Sequence, residues 1–69
     1  MQLSARNQLK GKVKSVKPGS VMAEVVVALP DGQEIVSAIT LGSAEAMHLK
    51  AGDQVFAIIK STEVMIGKE

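Results

Sequence analysis

The sequence predicts an all-β fold, a small five-stranded barrel with one short helix between the third and fourth strands. Three observations lead to it: short apolar stretches are separated by Pro- and Gly-containing turns, apolar and polar residues alternate at the start of the chain, and only one short segment has helical composition. With 69 residues there is room for a single domain, residues 1–69.

Turn sequences around Pro18, Pro30 and Gly52 divide the chain, because Pro fixes φ and Gly permits positive φ. In the first strand Leu9 and Val13 alternate with a stripe of lysines, which predicts one buried and one solvated face. The predicted strands cover residues 7–16, 21–29, 33–40, 54–59 and 64–66.

Residues 25–29 and 56–59 are apolar on both faces, which indicates that both faces are covered. In so short a chain we expect one of those covers to be a neighbouring subunit. Residues 43–49 have helical composition, with Ser43 as the expected N-cap. Three strands, a short helix and further strands match the order of an OB-like barrel.

Composition favours a homo-oligomer. A chain with no cysteine and one histidine lacks the disulfides or structural metal that usually reinforce small domains. Its hydrophobic content of 46% and mean hydropathy of +0.22 exceed what one small core hides. No apolar run approaches the ~18 residues of a membrane span, and the N-terminus has no signal-peptide core, so we expect a soluble cytoplasmic protein with no membrane partner.

Catalysis has little support in the residues. The chain has no cysteine or tyrosine, and His48 stands between Met47 and Leu49 with no acid placed to orient it. One histidine is too few donors for a metal site. We therefore expect a protein that is not an enzyme, with no catalytic residue and no metal ligand; His48 is interpreted as a partly exposed residue at the helix end.

Two polar clusters carry the parts that an oxyanion site needs, namely cations, hydroxyls and free backbone N–H groups. Residues 4–7 offer a hydroxyl, a guanidinium and an amide, and residues 60–62 offer an ammonium and two hydroxyls. The charge distribution agrees, because five of the eight cations fall in the first 17 residues, where there is no acid. Each cluster alone is an ordinary feature of a strand end.

The two clusters belong to longer stretches, Ser-Ala-Arg-Asn-Gln-Leu-Lys-Gly at residues 4–11 and Lys-Ser-Thr-Glu-Val-Met-Ile at residues 60–66. These resemble the signature stretches of the molbindins, the Mop family, and the similarity covers essentially the whole chain. The resemblance implies an OB-like barrel assembled as a homohexamer, a trimer of dimers. It also implies binding of molybdate or tungstate at subunit interfaces for intracellular molybdenum storage and homeostasis.

Residue by residue, the resemblance assigns Ser4, Arg6, Lys60 and Ser61 to the main side-chain site, with main-chain groups near Ala5 assisting. A second site of the family uses mostly backbone N–H groups. By resemblance it maps onto Gly19, Ser20 and Ala38.

Two alternatives remain open at this stage. The early lysines and the barrel-like strand count also suit a small OB-fold nucleic-acid-binding module. Against it, such grooves stack bases on aromatic rings, and this chain has one Phe and no Tyr or Trp. A pure assembly domain without a ligand would explain the apolar excess, but it would leave Arg6 and Lys60 without a role.

Overall fold

The computed structural model describes all residues, Met1–Glu69. Four β-strands and a short α-helix follow one another along the chain, and a 3₁₀ turn, Ser61–Glu63, comes after the last strand. Neither helical segment has the length and apolarity to cross a membrane. The elements are β1 (Asn7–Pro18), β2 (Met22–Ala28), β3 (Glu34–Thr40), α1 (Leu41–Ala46) and β4 (Gln54–Ile59).

The strands form one antiparallel sheet in the order β3-β2-β1-β4. β1 is long enough, at 12 residues, to pair with β4 through its first half and with β2 through its second half. A register shift between Val13 and Ser15 leaves Lys14 as a bulge, which increases the local bend. The sheet curls into a half-barrel, and β3 and β4 are its two unpaired edges.

A small core lies on the concave side of this sheet. Val13, Val25 and Val27 are its fully buried members, and Leu49, after the helix, is among the partly buried side chains that pack against them. Only six of the 69 residues are buried altogether. The core therefore fills one side of the half-barrel and leaves the opposite side open.

The helix lies between the third and fourth strands, as predicted, but it begins earlier than expected. Ser43 is not its N-cap: the last residue of β3, Thr40, accepts a hydrogen bond at its side-chain oxygen from the Ser43 backbone N–H at 3.1 Å. At the other end His48 adopts a left-handed backbone, with φ of 50°, and the Leu49 N–H donates to the Ala44 carbonyl at 3.1 Å. This is a Schellman end with an exposed histidine where glycine is usual.

The predicted fifth strand is not confirmed. Residues 64–66 have no strand partner, and Met65 and Ile66 are 90% and 89% exposed. The sequence pattern of this segment is that of a strand, but a strand exists only where another strand supplies hydrogen-bonding partners. The observed architecture is a four-stranded half-barrel with one helix, which is consistent with an OB-like fold.

Candidate anion-binding site

Arg6 and Lys60 are brought together by the pairing of β1 with β4. The last pair of that ladder joins Asn7 to Ile59, so Arg6 and Lys60 are the next two residues on either strand. The Val13 N–H donates to the Asp53 carbonyl at 2.9 Å, which makes odd-numbered β1 residues the hydrogen-bonded members of the ladder. Positions 6 and 60 lie one step beyond the last pair, where this alternation would place a non-hydrogen-bonded pair, the type with the closer side chains.

The flanking residues of the predicted site are held by local hydrogen bonds. The Gln8 side-chain amide donates to the Ala5 carbonyl at 2.7 Å and fixes the approach of residues 4–6 to β1. On the other strand, the Glu63 N–H donates to the Lys60 carbonyl at 2.9 Å and forms the 3₁₀ turn that contains Ser61. Ser4 and Ser61 are therefore within two residues of the paired cations and are exposed.

The electrostatics of this end of the sheet are unusual, because neither cation has a carboxylate partner. The two ion pairs of the chain join Lys14 to Glu34 and Lys50 to Asp53, both elsewhere. Two adjacent cations with hydroxyls beside them match the charge and hydrogen-bonding needs of a tetrahedral dianion. Arg6 and Lys60 are both exposed, so a single chain supplies one wall of such a site but no enclosure.

The second predicted set, Gly19, Ser20 and Ala38, lies at the other end of β1. The Gly19 N–H is already used, since it donates to the Met22 carbonyl at 2.7 Å. The Leu41 N–H donates to the Val21 carbonyl, so odd-numbered residues at this end of β3 are hydrogen-bonded to β2 and even-numbered ones are not. Ala38, which lies opposite Glu24, is therefore in a non-hydrogen-bonded pair, and its N–H is directed away from β2. The whole length of β1 lies between this set and Arg6, so a single chain does not bring the two sets together.

The structure also contains a feature that does not suit an anion, an apolar groove of about 560 Å³ between the edges of β3 and β4. Of its 14 lining residues only Ser37 is polar. This groove was not predicted as a site from the sequence. The part of the sequence that could have indicated the groove is residues 56–59, which are apolar on both faces. This run predicted that a neighbouring subunit covers the sheet, but it did not show where the cover lies.

The displaced pKa values belong to turns away from both predicted sites. Hydrogen bonds from the Gln33 side chain and backbone lower the pKa of Asp31. The side chain of Lys50, and then its backbone N–H, lower the pKa of Asp53 in the turn before β4. No group of three or more His, Asp or Glu side chains is arranged to hold a metal ion.

Comparison with known proteins identifies the family of this chain. The model of the TOBE domain family matches residues 3–66. The chain belongs to this family. Among its relatives, molybdenum-pterin-binding protein 3 of Clostridium pasteurianum is 53% identical over 66 residues, which cover 96% of this chain and 97% of the relative. At this identity and coverage, the resemblance to the Mop proteins is confirmed.

Solved structures of relatives share the fold. MopII from Clostridium pasteurianum has a TM-score of 0.92 at 49% identity, over 97% of this chain and 100% of the other. A molybdate-binding protein from Sporomusa ovata has a TM-score of 0.92 at 41% identity, over 99% and 100%. ModG, described as a cytoplasmic molybdate-binding protein and solved with molybdate bound, has a TM-score of 0.84 at 43% identity, over 88% of this chain and 43% of its own.

Proposed function

We propose that this protein binds molybdate or tungstate as an intact oxyanion, at sites formed between identical subunits. The observation that carries the proposal is the pair Arg6 and Lys60, adjacent at the end of the β1–β4 ladder and without carboxylate partners. The relatives named for molybdenum or molybdate binding cover essentially the whole chain and support this choice of anion. Arg6 and Lys60 neutralise the dianion, while Ser4, Ser61 and the backbone near Ala5 donate to its oxygens.

The anion itself, and not a pterin complex, is the proposed ligand. A pterin ring carries several hydrogen-bond donors and acceptors, and each one buried without a partner costs about 1–3 kcal/mol. Of the two grooves of the chain, the one between β3 and β4 offers the Ser37 side chain alone as a polar group. The other, between the end of β1 and the helix, offers only the side chains of Glu45 and His48. The paired cations suit a compact tetrahedral anion and need no ring-binding surface beside them.

Sites shared between subunits follow from the exposure of the predicted residues. Arg6 and Lys60 face solvent in one chain, and a rigid, selective pocket needs a second surface to close it. We propose a homohexamer, a trimer of dimers, in which the second set forms a separate backbone site. Ser20 and Ala38 would supply its N–H groups, and Gly19, whose N–H already donates to the Met22 carbonyl, would shape the turn beside them. Within the cytoplasm such an assembly stores and buffers molybdenum, binding and releasing the oxyanion without catalysis.

Calorimetric titration with molybdate tests the side-chain assignment. We expect Arg6→Ala and Lys60→Ala each to lose about 2–5 kcal/mol of binding free energy, because each removes a charged partner of an enclosed anion. Lys12→Ala is the matched control: it removes the same charge from an exposed position in the middle of β1 and should leave the affinity unchanged. Wild-type affinity in both site variants would exclude the assignment.

Competition experiments test the identity of the anion and the nucleic-acid alternative. Tungstate should displace molybdate, and sulfate should compete far more weakly, because a pocket sized for the larger anion leaves a smaller one under-coordinated. Equal competition by sulfate would reduce the site to a general anion site. Salt-sensitive binding to single-stranded DNA would favour the alternative, although Phe56 is the only aromatic ring available for stacking.

A further inference from the structure

Gln8 makes the one hydrogen bond that holds the segment before β1, residues 1–6. Its side-chain Nε2 donates to the Ala5 carbonyl oxygen at 2.7 Å, and the contact is partly buried. No other backbone or side-chain hydrogen bond of the structure involves a residue of this segment. The segment also lies outside the strand ladders, since β1 begins at Asn7. Among polar contacts, Gln8 alone therefore fixes the position of residues 4–6.

Gln8 is a suitable anchor because its own backbone belongs to the paired part of β1. It lies opposite Ile58 in the β1–β4 ladder, between the paired residues Asn7 and Leu9. Its side chain is half-buried and reaches back three residues to Ala5. A side chain that leaves a fixed strand and bonds to the chain before it closes a small ring, so that the preceding residues cannot swing freely.

The same contact sets the direction of the next backbone N–H group. The Ala5 carbonyl and the Arg6 N–H belong to one peptide unit, and the chain has no cis peptide bond. In a planar trans peptide these two groups point in opposite directions, so the Arg6 N–H faces away from the Gln8 amide. This N–H has no hydrogen-bond partner within the chain. It is therefore free to donate to an oxyanion beside the Arg6 side chain.

A donor on the carbonyl side also strengthens the N–H on the other side of the peptide. Hydrogen bonds in a chain polarise one another, by about 10–30% per bond. The Gln8 amide, the Ala5–Arg6 peptide and a bound anion would form such a chain, in which each group donates to the next. A carboxylate at position 8 could not begin it, because an ionised carboxylate only accepts hydrogen bonds. A neutral amide donates without drawing the Arg6 charge away from the anion.

We propose that Gln8 is a positioning residue of the anion site, which holds Ser4 and the Ala5–Arg6 peptide in place before the anion binds. The proposal rests on the proposed function and adds to that site a residue that acts through Ser4 and the Arg6 N–H. A segment that is ordered in advance binds more tightly than one that loses its freedom on binding. Ser61 does not depend on Gln8, because the Glu63 N–H holds its turn separately.

Calorimetric titration of Gln8→Met with molybdate tests the proposal. Met keeps an unbranched side chain of similar size and removes the amide donor. We expect the affinity to fall about two- to tenfold, the effect of one net hydrogen bond. Gln54→Met is the matched control: Gln54 lies opposite Lys12 in the same ladder, is exposed, and makes no side-chain hydrogen bond. The control should bind molybdate as the wild type does, and an unchanged affinity in Gln8→Met would overturn the proposal.

Double-mutant cycles separate a positioning role from a general loosening of the fold. Ser4→Ala should weaken binding several-fold less in the Gln8→Met background than in the wild type, because the freed segment no longer presents the Ser4 hydroxyl. Ser61→Ala should weaken binding equally in both backgrounds, since its turn is held separately. Additive effects of Gln8 and Ser4 would overturn the proposal. Coupling of equal size to Ser61 would also overturn it, because the substitution would then act through the whole fold.

NMR order parameters measured without molybdate distinguish this proposal from the proposed function. Ala5 and Arg6 should have backbone order parameters near ~0.85 in the wild type and Gln54→Met, and below ~0.6 in Gln8→Met. Equal order in all three proteins would contradict the role of Gln8, whatever the affinity. A wild-type protein that shows the expected order but does not bind molybdate would contradict the proposed function and leave the role of Gln8 in holding the segment intact.

Discussion

Among the glycines, Gly11 is the one at which an added methyl group should be most destabilising. It is buried in β1 near the point where the strand passes from pairing with β4 to pairing with β2. A Cβ at this position would lie 2.7 Å from the Ala28 carbonyl oxygen and 2.7 Å from Val27 Cγ1. The oxygen belongs to the backbone of a paired strand, so a rotamer change cannot remove the clash.

We therefore expect Gly11→Ala to destabilise the protein. Overpacking of a well-packed interior costs about 1–3 kcal/mol, and the backbone contact argues for at least the middle of that range. For a domain of this size each kcal/mol lowers Tm by about 4–8 °C, so a loss of about 2 kcal/mol predicts a fall of about 8–16 °C. Since Arg6 directly precedes β1, a displaced β1 should also weaken molybdate binding.

Thermal unfolding followed by far-ultraviolet circular dichroism measures the effect, because the chain has no Trp or Tyr for fluorescence. Gly42→Ala is the matched control: a Cβ there meets nothing within 4 Å, and Ala is preferred over Gly within a helix by roughly 0.5–1 kcal/mol. The control should therefore melt slightly higher than wild type. Samples must have equal protein concentration, since oligomers melt in a concentration-dependent way. A Gly11→Ala protein with wild-type Tm would refute the close approach of β1 to β2.

Two further predictions concern the ends of α1 and the turn before β4. Thr40→Ala should cost about 0.5–2 kcal/mol of stability, because it removes the side-chain acceptor that caps the Ser43 N–H. Ser43→Ala keeps that hydrogen bond and should cost less. Equal losses of Tm in the two variants would contradict the assignment of Thr40 as the N-cap. Asp53→Asn should lower Tm at neutral pH. Hydrogen bonds from Lys50 lower the pKa of Asp53 in the folded protein below its ordinary value of 3.8. The ionised carboxylate therefore stabilises the fold fully above pH 3.8, and this stabilisation is lost as the pH falls through the lowered pKa of the folded state. The Tm difference from wild type should therefore shrink in acid, and a difference that grew below pH 3.8 would reverse the sign of this argument.

Local sequence patterns predicted the strands well wherever neighbouring residues decide the structure. β4 was predicted with its observed bounds. The predicted β2 extends one residue too far at each end, and the predicted β3 begins one residue too early. β1 was predicted to end at Val16 but continues to Pro18. The bulge at Lys14 explains the difference, because it shifts the alternation of faces and allows the ladder to continue past the point where the pattern changes.

The start of the helix could not be chosen from local preference alone. Thr40 and Ser43 are both good N-cap residues, and Ser43 stands directly before the helix-favouring Ala-Glu-Ala sequence. Pairing decides between them: Thr40 is held opposite Met22 as the last residue of β3, and its side chain is then in position to cap the next turn. That constraint comes from β2, which lies far from the helix in sequence.

The fifth strand and the proposed anion site were harder to predict for a common physical reason, because a strand and an enclosed pocket each need a second surface. Residues 64–66 have the side chains of a strand but no strand partner. Arg6 and Lys60 directly follow the last pair of the β1–β4 ladder. Any two like charges that approach to ~4 Å repel by about 1 kcal/mol in water but about 4 kcal/mol near a protein surface. Covering this pair with a second copy therefore raises the repulsion unless an anion enters with it. Assembly and anion binding are then coupled by linkage, and the anion should stabilise the oligomer as the oligomer completes the site.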